Sequence, residues 1–456
     1  MVNVTNTPQL PPAITAVIRG GRVIEARSQV RVPFGGPSVG EDRDEVRDLY
    51  ILDGRIAEPF EGPYDLEIDA SGLLVMPGFV DLHCHLRDPG QEYKEDIYTG
   101  SRSAVAGGFT SIACMPNTEP VVDNKAVVRY IKERAQMASA HVYPIGAATK
   151  GQAGVELAEI GQMKEAGIVA LSDDGTAVAT ADRMMKSMQY ASDFGLVVID
   201  HCEDNSLKDG TMNEGEISTR MGEHGIPSAA EDIIVARDIL LAEYLDLPVH
   251  IAHVSTARSV DLIRQAKARG VQVTGETCPH YFVLTDEACL SFSGLYRVNP
   301  PLRREADRLA ILEGLKDGTL DALATDHAPH HKDEKEIEFA LAMNGMIGFE
   351  TAFALAWTHL VVPGHMTPVD LVRVLSANPA AFLRIPAGSL AVGQVADVTL
   401  ADPDRHYDYD RSQAVSRSKN TPFDGWAMQG KIVEITRVAF GTDCASKGVR
   451  ILSVTA

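Results

Sequence analysis

The sequence predicts an α/β protein, a (β/α)8 TIM barrel with a small β-rich domain built from both chain termini. Three observations point there. Eight short apolar runs recur between residues 73 and 330, several followed by amphipathic stretches. β-rich segments of a different rhythm occupy both ends. The 456 residues exceed the roughly 250 that one barrel needs, leaving chain for a further domain.

From about Ile14 to Ile68 the chain reads as β-type runs separated by turn signals: AVIRGGRVIEA, LYILDGRIAEP and YDLEIDA. Gly20-Gly21 and Asp53-Gly54 each lie between apolar-rich runs and predict hairpins, because two-residue hairpin turns need the positive φ that Gly and Asp tolerate. The segment VRVPFGGPSVGEDRDEVRD, residues 30–48, is rich in Gly, Pro and charge and predicts a loop, and the stretch 31–49 reads as an insertion.

The barrel runs are LLVMPGFVDLH, GFTSIACMPN, HVYPIGAAT, GIVALSDDG, GLVVIDHCED, PVHIAHVST, VQVTGETCPH and DALATDHAPH. Between them NKAVVRYIKERAQMA and ARSVDLIRQAKARG carry apolar residues at helical spacing. Alternation of this kind predicts parallel strands with crossover helices, and an open doubly wound sheet is the architectural alternative. After about Ile385 the β-rich rhythm returns in SLAVGQVADVTLADPD and GWAMQGKIVEITRVAF. The expected domains are 1–72 and 385–456, together forming the β-rich part, and 73–384, the barrel.

Composition narrows the function classes. With 63 acidic and 42 basic side chains the net charge is −21, and there is no basic run, so a nucleic-acid partner is not expected. Neither an 18-residue apolar stretch nor a signal-peptide pattern is present, so no membrane span is expected and the cytoplasm is the expected compartment. Six cysteines, Cys84, Cys114, Cys202, Cys278, Cys289 and Cys444, are scattered with no C-x-x-C pair and read as buried thiols.

The chemistry gathers where the apolar runs end, the place where a barrel builds its active site. His83 and His85 close the first run, and an H-x-H pair on a strand aims two imidazoles at one point. Asp173 and Asp174 end the fourth run, His201 the fifth, His253 the sixth and Asp326 the eighth. Imidazole with carboxylate suits Zn2+ or a similar divalent ion, one or two per chain, and a set spread around a barrel mouth suits a catalytic rather than a structural site. Such ions lower the pKa of bound water towards about 7 and polarise a carbonyl. Asp326 is the candidate to carry the proton from that water to the leaving group.

These residues stand in longer motifs: PGFVDLHCHLRDPG at 77–90, MPNTEPVVD at 115–123, SDDG at 172–175, HCEDNSL at 201–207, AHVST at 252–256, ETCPHYF at 276–282, NPPLR at 299–303 and TDHAPH at 325–330. Over nearly its whole length the chain resembles the amidohydrolase superfamily, and within it the class I dihydroorotases. The resemblance implies reversible hydrolysis of a cyclic amide, L-dihydroorotate to N-carbamoyl-L-aspartate, in pyrimidine biosynthesis, with a metal-bound hydroxide as nucleophile.

It further implies His83, His85, Asp174, His201, His253 and Asp326 as metal ligands, Asp326 also as catalytic proton shuttle, and Arg87, Asn117, Asn299 and His330 as substrate-binding residues. Asp174 is preferred to Asp173 because its spacing to His201 resembles a subset of the family with Asp where many relatives carry a carboxylated lysine. Asn344-Gly345 departs from the aromatic-Gly pair expected beside the substrate ring. Arg87 has Asp88 and Asp96 as alternative partners, and Asn117 could serve only as a turn former. His280 is expected to support the pocket, and His331, before KDEKE, to be a solvated loop residue.

The expected partners are the small-molecule substrate, further copies in a homo-oligomer, and aspartate carbamoyltransferase. A hydantoinase or allantoinase-like activity is the alternative within the enzyme class. A silent scaffold for the transferase is the alternative outside it, set against the full set of ligand residues.

Overall fold

The computed structural model describes residues 15–31, 33–34, 40–439 and 448–453. Cys444 and the first fourteen residues lie outside them. The amino-terminal strands are β1 (Thr15–Glu25), β2 (Arg43–Leu52), β3 (Arg55–Ala57), β4 (Leu66–Asp69) and β5 (Leu74–Pro77). There follow β6 (Phe79–Cys84), β7 (Phe109–Cys114), β8 (His141–Pro144), β9 (Val198–Asp200), the short pair β10 (Met212–Asn213) and β11 (Gly225–Ile226), β12 (Val249–Ile251), β13 (Val273–Thr277) and β14 (Ala322–Leu323). The last are β15 (Val398–Asp408), β16 (Ala427–Ala439) and β17 (Gly448–Ser453).

Both ends of the chain build one sheet, in the order β17-β16-β15-β5-β1-β2-β3 with β4 beside β1. Ile18, Val23, Ile51, Val75, Val398 and Leu400 fill its core. Asp53 and Gly54 take positive φ and turn β2 into β3, with Leu52 opposite Arg55. Gly20-Gly21 does not make a hairpin: β1 runs through it with an irregular register between Ile18 and Gly21. The reason is close packing, since a Cβ on Gly21 would lie 2.3 Å from the Val75 side chain of β5. The loop expected over 31–49 is shorter than its composition implies, because residues 43–49 already belong to β2, with Arg47 opposite Gly21 and Glu45 opposite Val23.

The run from Leu73 is divided: β5 joins the terminal sheet and β6 opens the barrel. β6, β7 and β8 pair in parallel. The fourth position narrows to Leu171, bridged in parallel to Gly146 on one side and Val198 on the other. β9, β12, β13 and β14 continue the ladder, and a parallel bridge from Cys84 to His327 closes it. A closed, parallel, eight-position ring is a barrel and not an open sheet. Its interior is packed by Val80, Leu82, Ala113, Ile145, Val197, Ile199 and Ala252, with Phe382 and Leu383 in the same cluster. Among the described residues no helix is long and apolar enough to cross a membrane.

Candidate metal centre

The strand ends bring His83, His85, Asp174, His201, His253 and Asp326 together, all buried. His83 Nε2 lies 3.2 Å from Asp174 Oδ1 and 3.7 Å from Asp326 Oδ1. His85 Nε2 lies 3.1 Å from Asp326 Oδ1 and 3.5 Å from Asp174 Oδ2. His201 Nδ1 and His253 Nε2 each lie 3.5 Å from Asp174 Oδ1 and 2.8 Å from one another. His253 and Asp326 hold positive φ, as does Arg87, which is uncommon outside glycine and clusters at functional sites.

Donor atoms of His83, His85 and Asp174 all fall within 4.8 Å, and so do those of Asp174, His201 and His253. Asp174 is therefore common to two triads. His83 Nε2 and Asp174 Oδ1, which face each other in this cluster, are buried without a hydrogen-bond partner among the described residues. Buried donors and acceptors left this way cost about 1–3 kcal/mol each, and a divalent ion removes that cost for imidazole nitrogen and carboxylate oxygen alike. The residues fit a metal ion.

Asp173 faces elsewhere. Its carboxylate accepts from the backbone N–H groups of Ala148 and Thr149 at 2.9 and 3.0 Å and from the Thr149 hydroxyl at 2.5 Å. A third acidic cluster, Asp200, Cys202 and Asp238, lies behind His201, and Arg237 already serves it: Nη2 donates to Asp200 at 2.9 Å and Nε to Asp238 at 2.7 Å. The five cysteines among the described residues are buried thiols.

Electrostatics follow from crowding six ionisable groups out of water. Burial opposes the charged form of Asp174, yet the charge of His83 and the imidazoles of His201 and His253 beside it hold its carboxyl well below the usual range. The same competition, with His85 as the principal donor, depresses Asp326. For His201 burial acts downward, but the Asp174 and Glu203 carboxylates beside it prevail and raise the imidazole to about 9. Protons thus occupy, in the metal-free cluster, positions that an ion would take.

The residues expected to hold substrate lie around this cluster. Arg87 is buried, which depresses its guanidinium. Its Nε donates to the Pro329 carbonyl at 3.2 Å, and among the described residues it makes no ion pair. The alternative partners are taken: Asp88 pairs with Arg134 at 2.8 Å and Asp96 with Arg417. Asn117 is turned onto the cluster, its Oδ1 2.9 Å from His85 Nδ1 and its Nδ2 3.5 Å from Asp174. Asn299 Nδ2 lies 3.2 Å from His201 Nε2 and 2.9 Å from Glu203 Oε2. His330 lies beside Arg87, its Nε2 3.4 Å from Arg87 Nη2. His280 is buried, and burial lowers it to about 4; His331 is half-buried beside Asp333.

Two carboxylates that the sequence reasoning gave no role complete the picture. Glu276, on β13, meets His83 Nδ1 at 2.8 Å and His250 Nε2 at 3.2 Å. Glu203 meets His201 Nε2 at 3.5 Å. Imidazoles that bind metal are oriented by such acceptors on the far ring nitrogen. The available signal was a carboxylate near the end of the seventh run, the position that yields ligand residues in five others.

A closed barrel with a mouth of four imidazoles and two carboxylates defines the amidohydrolase class of metal-dependent hydrolases. Comparison with known proteins agrees. The Dihydro-orotase-like family model matches residues 72–259. A dihydroorotase of Acetivibrio thermocellus is 54% identical over 424 residues, 91% of this chain and 96% of that protein. One of Ruminiclostridium cellulolyticum is 53% identical over 85% of this chain and 92% of that protein. Among solved structures, the L-hydantoinase (dihydropyrimidinase) of Arthrobacter aurescens superposes with a TM-score of 0.81 at 25% identity, covering 95% of this chain and 98% of that one. The chain belongs to the dihydroorotase family.

Proposed function

We propose that this chain is a metal-dependent dihydroorotase, hydrolysing the cyclic amide of L-dihydroorotate to N-carbamoyl-L-aspartate and closing it again in pyrimidine biosynthesis. The observation that carries the reading is Arg87, a buried guanidinium beside the His/Asp cluster that has no carboxylate partner among the described residues. Its fork matches a carboxylate, which dihydroorotate has and a plain hydantoin lacks.

His83, His85, Asp174, His201, His253 and Asp326 would hold the metal, with Asp174 shared between two positions. A bound divalent ion supplies Lewis acidity to the amide carbonyl and acidity to water. In the proposed step the water oxygen forms a bond to the amide carbon and the carbon–nitrogen bond breaks. Asp326 receives the proton of that water at its carboxylate and delivers it to the departing ring nitrogen. Asn117 orients His85, Asn299 orients His201 and Glu203, and Arg87 holds the substrate carboxylate, with His330 lining the pocket beside it.

Finer parts of the proposal rest on the sequence resemblance: zinc as the ion, a homo-oligomer, a cytoplasmic setting, and aspartate carbamoyltransferase as a further partner. For the domains we propose 1–72 with 385–456 and 73–384, with β5 reaching back into the terminal sheet.

The test is turnover of L-dihydroorotate and N-carbamoyl-L-aspartate, with hydantoin and allantoin as controls, by zinc-loaded protein and by Arg87→Met. Turnover in both directions, lost in Arg87→Met chiefly through KM, is expected. Hydantoin turnover that survives Arg87→Met would replace the reading with a hydantoinase.

A further inference from the structure

The wall behind His330 is held by a cation that local sequence presents as a surface residue. Lys335 lies in HHKDEKE, yet it is 2% exposed. Its Nζ donates to the carbonyls of Met343 at 2.7 Å, Gly345 at 2.9 Å and Arg297 at 3.1 Å. An ammonium has three protons and no acceptor, so three carbonyls use it completely. Arg297 itself donates from Nη1 to the Phe339 carbonyl at 3.1 Å and to that of Ala340. Two cations therefore hold the segment 339–345 by its backbone oxygens. Burial and the Arg297 charge push Lys335 down to about 7, while the three carbonyls favour the protonated form that can donate to all of them.

Asn344 stands between the two loop residues that Lys335 holds, and its carbonyl lies 2.8 Å from His330 Nε2. A carbonyl only accepts, so this contact requires the proton on Nε2 and leaves Nδ1 bare. The competing tautomer has an acceptor nearby but not in hydrogen-bond reach: Nδ1 is without a hydrogen-bond partner among the described residues, and Glu334 Oε2 lies 3.6 Å from it. Burial and the charges of Arg87, Lys94 and Lys335 hold the ring well below its usual pKa, so it is neutral and must choose one nitrogen.

The choice matters because Arg87 Nη2 lies 3.4 Å from Nε2. With the proton on Nε2, two donors face one another and the guanidinium keeps its protons for another acceptor. With the proton on Nδ1, the bare Nε2 would accept from Arg87 and engage it.

We propose that Lys335 is a positioning residue for substrate binding: by fixing Met343 and Gly345 it holds the Asn344 carbonyl on His330 Nε2, and so keeps the Arg87 guanidinium available to an anionic substrate. This rests on the reading of Arg87 as the carboxylate-binding residue.

The experiment follows the His330 ring nitrogens by NMR in 15N-histidine-labelled protein, assigned with His330→Gln, beside steady-state kinetics on L-dihydroorotate, for wild type and Lys335→Met. Wild type is expected to show the Nε2–H tautomer and Lys335→Met a shift towards Nδ1–H. KM should rise about tenfold, the scale of one charge-assisted hydrogen bond, with kcat within about threefold. Combined with Arg87→Met, Lys335→Met should add no further rise in KM.

A folded Lys335→Met with unchanged tautomer and unchanged KM overturns the proposal, as does a KM effect that simply adds to that of Arg87→Met. If Lys335→Met fails to fold, Lys335→Gln, which keeps two of the donors, is read in the same way. Wild-type protein inactive on L-dihydroorotate would sink the functional reading alone, and the tautomer measurement would still decide the role of Lys335.

Discussion

Glu276 Oε1 lies 2.8 Å from His83 Nδ1, joining residues 193 positions apart across the buried centre of the barrel. That bond turns His83 Nε2 towards Asp174 and Asp326. Burial opposes the Glu276 charge, but hydrogen bonds from His250 and His83 outweigh it and bring the carboxyl down to about 2. Glu276→Gln keeps an acceptor but loses the charge that makes the imidazole a stronger ligand. Metal affinity, measured by competition with a chromophoric chelator, should fall roughly tenfold or more. Unchanged affinity would remove Glu276 from the centre's support.

Asp326→Ala removes the proposed proton carrier and leaves five of the six proposed ligands. A loss of kcat on the order of 10²–10⁴ is expected, with metal still found in the protein by elemental analysis. Full activity with metal present would exclude Asp326 from proton transfer.

The protonated cluster makes metal uptake pH-dependent. His201 is raised to about 9 and His83 well above its usual value, so both carry protons in metal-free protein at pH 7 and must release them to an ion. Titration calorimetry in buffers of different ionisation enthalpy should report proton release, with affinity falling as pH is lowered.

The same shift has a sign for stability. A histidine whose folded pKa exceeds its unfolded value near 6.5 contributes stability that is fully present below 6.5 and lost as pH rises through about 9. Metal-free protein should therefore become easier to denature across that window, and metal-loaded protein should not. Denaturant midpoints at pH 6, 7.5 and 9 for both forms are the measurement.

Arg237→Met leaves Asp200 and Asp238 buried without their cation and also removes the bond from Nη1 to the Val178 carbonyl at 2.7 Å. A loss of about 3–5 kcal/mol is expected in chemical denaturation, the scale for breaking a buried ion pair from one side. A loss below about 1 kcal/mol would mean that water or a proton replaces Arg237 without cost.

Much of the site was legible because its signals are local. Alternation and apolar runs are properties of neighbouring residues, and a barrel delivers the ends of its strands to one mouth. His83, His85, His201, His253 and Asp326 could therefore be picked out from where runs stop, and Asp174 by resemblance. The failures share one cause. Gly20-Gly21 looked like a turn, but what demands glycine there is the Val75 side chain of another strand. The fourth run looked like its neighbours, yet it forms isolated bridges at Leu171, with single backbone hydrogen bonds from Val169 and Ser172, in place of a continuous strand.

The sequence by itself determined that this chain forms a parallel barrel between two β-rich ends, and which side chains stand at its mouth, because periodicity and run ends are written within a few residues. Only the tertiary structure decided what those side chains touch. Ring closure sets which strands are adjacent and in what register, and that placed Glu276 on His83, Asn117 on His85 and Arg237 between two aspartates. It also turned Lys335, one charge in a charged run, inward to three carbonyls, since the energy of burying an ammonium depends on acceptors from segments that the local sequence does not contain.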